Sequence, residues 1–260
     1  MNSARIAELL EPFLGAPITA QHVCHSEPAT AGEESAVLSP AQLHDISTYI
    51  DILIRWNASI NLTAIRDTEG IVTRHFGESL FAARHLFPLG AQLGHPDGEA
   101  AAQARPERSR RGGPTERRPA ACTLADLGSG AGFPGLPIKL WAPHIALTLV
   151  ESNHKKATFL REVTRALTLM DVNIQNARAE TLTGSGFDVV TLRAVERFES
   201  ILPIAAALVA PAGRMALLIG ASQQPQAQAS LPEFTWSEAS PVPNSRARIL
   251  LTAQRLEPLL

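Results

Sequence analysis

From residue 123 onward, short apolar runs alternate with segments of helical period. Strands are expected over 123–128, 145–151, 172–178, 187–192 and 214–219, and helices over 135–142, 154–170 and 199–210. Such alternation predicts a mainly parallel, doubly wound α/β sheet. The tail 233–255 breaks the pattern. It holds two strand-like runs with no helix between them and predicts an antiparallel hairpin at the sheet edge.

Upstream the period is helical throughout. Ser39-Pro40 offers an N-cap followed by proline at the first helical position, and Leu43, Ile46, Ile50, Leu53 and Ile54 then recur on one face. A second helix is expected after Asp67, with Glu69 in its first turn, an apolar face of Ile71, Val72, Phe76, Leu80, Ala83 and Phe87, and a stop at Pro88. The chain thus divides into a loose N-terminal segment (1–38), a helical appendage (39–89), an insertion (90–121) and a sheet domain (122–260). The insertion concentrates Arg105, Arg108, Arg110, Arg111, Arg117 and Arg118 among Gly, Pro, Ala and Glu. With almost no large apolar residue it is expected to be disordered, and a solvated insertion is favoured over a basic RNA-binding arm.

The densest chemistry lies where the first strand ends. Asp126 is followed by Gly128, Gly130 and Gly132, and Glu151 closes the next apolar run. Glycines let a backbone turn off a strand and meet a bulky ligand closely. A carboxylate about twenty residues on, at the tip of the second strand, is placed to accept hydrogen bonds from ribose hydroxyls. The pattern reads as a nucleoside-cofactor site. The G-x-G-x-G spacing differs from the G-x-G-x-x-G of dinucleotide enzymes, which favours S-adenosyl-L-methionine over a nicotinamide cofactor but leaves the oxidoreductase open.

Size and charge narrow the class. The 260 residues are 45% hydrophobic, enough for a core, and the formal net charge is −2, so a generally basic nucleic-acid binder is excluded. Any RNA would be met by a local basic patch. No apolar run reaches membrane-spanning length. Met1 to Leu14 lacks the form of a secretion signal, and two cysteines, Cys24 and Cys122, suit a reducing compartment. A cytoplasmic location is expected, with no metal site and no obligate protein partner.

Three separated segments bear a resemblance. Arg55-Trp56-Asn57 with Asn61-Leu62-Thr63 and Arg74-His75, the run Asp126 to Pro137, and Phe187 to Ala194 resemble the glucose-inhibited division B family. Its members are guanine-N7 methyltransferases of small-subunit (16S) ribosomal RNA. The resemblance implies a class I (Rossmann-like) methyltransferase fold, S-adenosyl-L-methionine as cofactor, and ribosomal RNA or the ribosomal particle as partner. It implies cofactor contacts at Gly128, Phe133, Ala179, Glu180 and Arg193, beside Gly130 and Glu151 from the loop pattern. Phe133 would be an apolar wall, and Ala179-Glu180 would read the adenine edge. Arg74 and His75 are candidates to contact RNA or to tie the appendage to the sheet, and no catalytic residue is assigned. Leu192 and Ile219 stand where the family usually carries Ser and Lys. They keep open a second alternative, an RNA-binding protein that retains the pocket without turnover. Guanine N7 has a free lone pair, so no proton need leave first, and positioning supplies most of the acceleration. The place after the fourth strand reads Arg193-Ala-Val-Glu196, not the Asn/Asp-Pro-Pro-aromatic motif of amine methylation. Cys122, at the head of a strand, reads as core and not as a nucleophile.

Overall fold

The structure is a computed structural model of the chain and describes residues 1–15, 38–88, 121–182, 186–193 and 198–256. The disorder expected for 90–121 therefore falls, up to residue 120, outside the described residues, as do residues 194–197 behind Arg193.

Residues 1–38 were expected to be loose, yet Ser3–Leu14 form a helix, α1, whose Asn2 side chain accepts the Arg5 N–H at 2.9 Å. Ile6, Leu10, Phe13 and Leu14 lie on one face and are buried, and that burial holds the short helix in place. Helix α2 (Pro40–Asn57) starts at Ser39 in a capping box with Gln42, whose amide also donates to Leu140 O at 2.8 Å. One helical run then continues through α3 (Thr68–Gly70, capped by Asp67), a π-helical stretch (Ile71–Gly77) and α4 (Glu78–Leu86). Gly77 is where α1 docks: a Cβ there would come within 2.6 Å of the Phe13 ring.

The remaining elements build one sheet. They are β1 (Thr123–Leu127), α5 (Gly135–Trp141), β2 (Ala146–Val150), α6 (His154–Ala166), β3 (Val172–Gln175), β4 (Phe187–Arg193), α7 (Phe198–Leu208), β5 (Val209–Gly220), α8 (Gln224–Ser230), β6 (Phe234–Trp236), β7 (Ser240–Pro241) and β8 (Arg248–Arg255). Strand order is β3-β2-β1-β4-β5-β8-β6, with β7 beside β8. The pairings β1·β2, β1·β4, β2·β3 and β4·β5 are parallel, while β8 runs antiparallel to both β5 and β6. This is the class I methyltransferase arrangement. The hairpin is present, but β8 enters between β5 and β6, leaving the short β6 at the edge. Helix α6 ends at Ala166, short of the expected 170, and α8 was not anticipated.

Two apolar clusters cover the two faces. One joins α1, α2, α4 and α5 to Leu124, Leu147, Leu149 and Val189; the other packs Leu202, Ala205 and Ala206 of α7 on Ala125, Val190 and Leu217. The appendage therefore shares its core with one face of the sheet. Strand order reverses between β1 and β4, and ligands of open α/β sheets bind in the crevice outside the strand ends at such a point.

Candidate active site

At the end of β1 the chain turns through Gly128 (φ 69°), Gly130 (φ 55°) and Gly132 (φ 86°), all in the left-handed region that glycine alone enters without strain. The N–H groups of Gly128 and Ser129 donate to Val150 O at 2.9 and 3.1 Å, tying the loop to β2. Asp126 lies fully buried beneath. Its carboxylate accepts Thr191 Oγ1–H at 2.9 Å and the Gly135 N–H at 3.2 Å. Burial nonetheless pushes its pKa up to about 6, against those two bonds and the nearby Arg193 charge.

Glu151, one residue beyond β2, reaches over the loop. Oε2 accepts the Gly130 N–H at 2.9 Å and Oε1 accepts the Asn153 N–H at 2.6 Å, which fixes the carboxylate and leaves a lone pair on each oxygen for ribose hydroxyls. A Cβ on Gly130 would meet only Gly128 O at 3.7 Å, so the loop is open to a ligand there. Gly132 differs: a Cβ would collide with the Tyr49 hydroxyl. Open space, left-handed backbone and an anchored carboxylate together fit an adenosyl cofactor. After β3, Ala179 is buried and Glu180 is exposed on a single 3₁₀ turn, Ala179–Thr181.

The appendage forms one wall of the site. Tyr49 of α2 is fully buried and donates its hydroxyl to Ala131 O. Its ring stacks on Phe133, with centroids 5.4 Å apart and planes 2° apart. His75 stacks on the same Phe133 ring at 4.8 Å. Phe133, expected as an apolar wall, thus joins the loop to the appendage. Arginine is a donor only, so the 3.2 Å contact between Arg193 Nη1 and His75 Nδ1 makes Nδ1 the acceptor. The proton therefore sits on Nε2, which donates to Thr63 Oγ1 at 2.7 Å. Burial, with Arg193, Arg74 and Arg248 nearby, lowers the His75 pKa to about 3 and keeps the ring neutral.

Arg193 ends β4 with its side chain almost wholly covered. Nη2 donates to Arg74 O and to Glu78 Oε2, the latter at 3.0 Å, and Arg248 Nε lies 3.0 Å from the same Glu78 oxygen. Burial lowers the Arg193 pKa to about 10, with Glu78 opposing that shift. One carboxylate from α4 thus holds an arginine from β4 and another from β8. Of the RNA candidates, His75 uses both ring nitrogens within the protein, whereas Arg74 is exposed and offers its carbonyl inward. Asn57 is structural: its amide bonds Leu62 N, Thr63 N and Thr63 O. Trp56 is half-buried and donates to Glu162 at 2.8 Å.

A family profile described as rRNA small subunit methyltransferase G (GidB) matches residues 42–89 and 115–247. The chain belongs to that family. Its relatives include the ribosomal RNA small subunit methyltransferase G of Halorhodospira halophila (strain DSM 244 / SL1), 36% identical over 196 residues, 75% of this chain and 78% of that protein. The enzyme of the same name from Xanthomonas euvesicatoria pv. vesicatoria (strain 85-10) is 31% identical over 212 residues, 81% of this chain and 84% of that one. The one from Bacillus subtilis (strain 168) is 32% identical over 208 residues, 78% and 74% of the two chains. The GidB profile covers the appendage as well as the sheet, so the Tyr49–Phe133–His75 wall lies within the matched segments. Sequence reasoning missed Tyr49, Glu78 and Arg248. Tyr49 stood on the apolar stripe of α2, beside Ile46 and Ile50, with a hydroxyl needing a partner; Glu78 and Arg248 gave no local signal.

Proposed function

We propose that this chain transfers the methyl group of S-adenosyl-L-methionine to N7 of a guanine in small-subunit ribosomal RNA. The observation that carries this reading is the match of the GidB family over both the appendage and the sheet domain, with the Gly130–Glu151 loop at its centre. When bound, the cofactor supplies an electrophilic sulfonium methyl. Gly128 and Gly130 give its backbone approach, Glu151 holds the ribose, Ala179 and Glu180 meet the adenine edge, and Arg193 borders the cleft.

The three carboxylates buried among the described residues fit a reaction that needs no general base. Asp126 is held by Thr191 and Gly135, Glu151 by Gly130 and Asn153, and Glu78 by two arginines. Each is held by donors within the protein, and N7 has no proton to lose. Orientation of the base against the methyl group is what remains for the protein to supply. No described helix is long and apolar enough to cross a membrane. The relatives cited are methyltransferases by name, and nothing found favours a nicotinamide enzyme or a binding protein without turnover.

The test is incubation with labelled cofactor and bacterial ribosomal RNA, followed by nucleoside mass spectrometry. Label in 7-methylguanosine is expected. Label on a cytosine carbon or an adenine amine, or none at high enzyme concentration, would sink the proposal.

A further inference from the structure

Beside the glycine loop, at the ends of β4, β5 and β8, a pocket is lined by Leu192, Arg193, Phe198, Leu218, Gly220, Gln223 and Arg248, with Ile219. Among the described residues its wall holds two guanidinium groups and no carboxylate. Arg248 pairs in register with Gly220, which places its side chain at the end of β5. Glu78, behind the pocket, gives one oxygen to both arginines, whose side chains are 8% (Arg193) and 24% (Arg248) exposed. The Nε–H groups of Arg193 and Arg248 are both buried without a hydrogen-bond acceptor, although Arg248 Nε is near Glu78. Asp126, the other carboxylate near Arg193 among the described residues, lies under the loop, engaged by Thr191 and Gly135. Arg248 Nη2 donates to Leu218 O at 3.3 Å, and Arg193 Nη1 and Nη2 are taken by His75, Arg74 O and Glu78, so among the described residues the two cations here share the one carboxylate of Glu78. Buried charges are normally paired, and an anion in the pocket balances the one cation that Glu78 leaves over.

We propose that this pocket seats a backbone phosphodiester of the RNA next to the methylated guanine, with Arg248 as its principal contact and Arg193 behind it. The inference rests on the RNA-methyltransferase reading above. Charge decides for phosphate over the base itself. Methyl transfer moves the positive charge of the sulfonium onto the guanine, and two arginines against that base would oppose the step. A phosphate between them and the base neutralises the arginines and fixes the nucleotide, as phosphate contacts do elsewhere.

The test uses the full chain, an RNA fragment spanning the mapped guanine, and three readouts. Arg248→Met should lower the slope of log affinity against log salt by roughly 0.7–0.9, the value of one phosphate contact. Calorimetric affinity for S-adenosyl-L-methionine without RNA should stay unchanged, and Arg248→Lys should restore the slope. In wild type, neutral methylphosphonate at one linkage flanking the guanine should weaken binding several-fold, and in Arg248→Met the same linkage should have no effect. An unchanged slope in Arg248→Met overturns the proposal, as does weaker cofactor binding, which would assign the pocket to the cofactor's carboxylate. Should Arg248→Met fail to fold, the wild-type methylphosphonate scan decides alone, and insensitivity at every flanking linkage is the overturning result. Methyl transfer by wild type is scored in the same preparations. Its absence beside an intact slope effect would sink the methylation reading and leave the phosphate contact standing.

Discussion

Gly130 and Gly132 stand two residues apart in one loop and should fail differently when given a side chain. Gly130→Ala meets open space, so its cost is the left-handed backbone, about 1–2 kcal/mol, plus intrusion on the ligand. Calorimetry should show cofactor affinity falling at least tenfold while the circular dichroism spectrum stays native; unchanged affinity would make the loop structural only. Gly132→Ala drives a methyl into the Tyr49 hydroxyl and Leu136, so overpacking adds about 1–3 kcal/mol and the melting temperature should fall clearly further. His75 makes a prediction about pH. Its folded pKa, about 3, lies below the ordinary 6.5, so the unfolded chain binds the extra proton more readily. The stability it contributes is complete above pH 6.5 and is lost as pH falls from there toward 3. Its ring resonances should not titrate between pH 5 and 8, and a midpoint near 6.5 would refute the Arg193–His75–Thr63 arrangement. Most of these residues were legible in the chain as candidates. Their partners were not, because a hydrogen bond such as Arg193 to Glu78 joins positions 115 apart.

Helix α2 meets the glycine loop through Tyr49, by its ring on Phe133 and its hydroxyl on Ala131 O. Tyr49→Phe keeps the ring stack on Phe133 and removes the bond to Ala131 O, leaving a buried carbonyl unpaired. A stability loss of about 1–3 kcal/mol is expected in denaturant titration, with weaker cofactor binding because the loop loses its brace. Equal affinity for the cofactor would show that α2 supports the fold without tuning the site. Helices α2 and α4 were readable because caps and apolar spacing agreed at Ser39 and Asp67. Helix α1 was missed although Ile6, Leu10, Phe13 and Leu14 already have helical spacing. Its arginine, glutamates and internal Pro12 resemble a solvated tail, and only the burial of that face against the rest of the appendage, Phe13 over Gly77 included, makes the helix worth forming. The π-helical stretch at Ile71–Gly77 has no composition signal; it carries the contacts of Arg193 with Arg74 O and His75 and of Phe13 with Gly77.

The whole sheet from β1 to β5 was legible, since buried parallel strands read as apolar runs. Placing β8 inside the sheet was not, because a hairpin's local pattern does not say which of its strands meets β5. The family profile skips 90–114, so most of the arginine-rich insertion, with Arg105, Arg108, Arg110 and Arg111, lies outside the matched segments, while Arg117 and Arg118 lie within them. Deleting 94–114 should leave cofactor affinity and methyl transfer within about twofold of wild type, because surface loop length costs little. Loss of RNA affinity in that deletion, with a flatter salt dependence, would make the insertion an RNA arm instead. The shared oxygen of Glu78 has a further consequence, for the order in which the protein is made. Helix α4 leaves the ribosome early and carries a carboxylate destined for the interior, while Arg248 arrives with the last described strand. Until then β5 has no neighbour on one side and its backbone is open to pairing with another chain. A nascent chain halted before residue 248 is therefore unfinished at its centre, and should depend on chaperones far more than its length suggests.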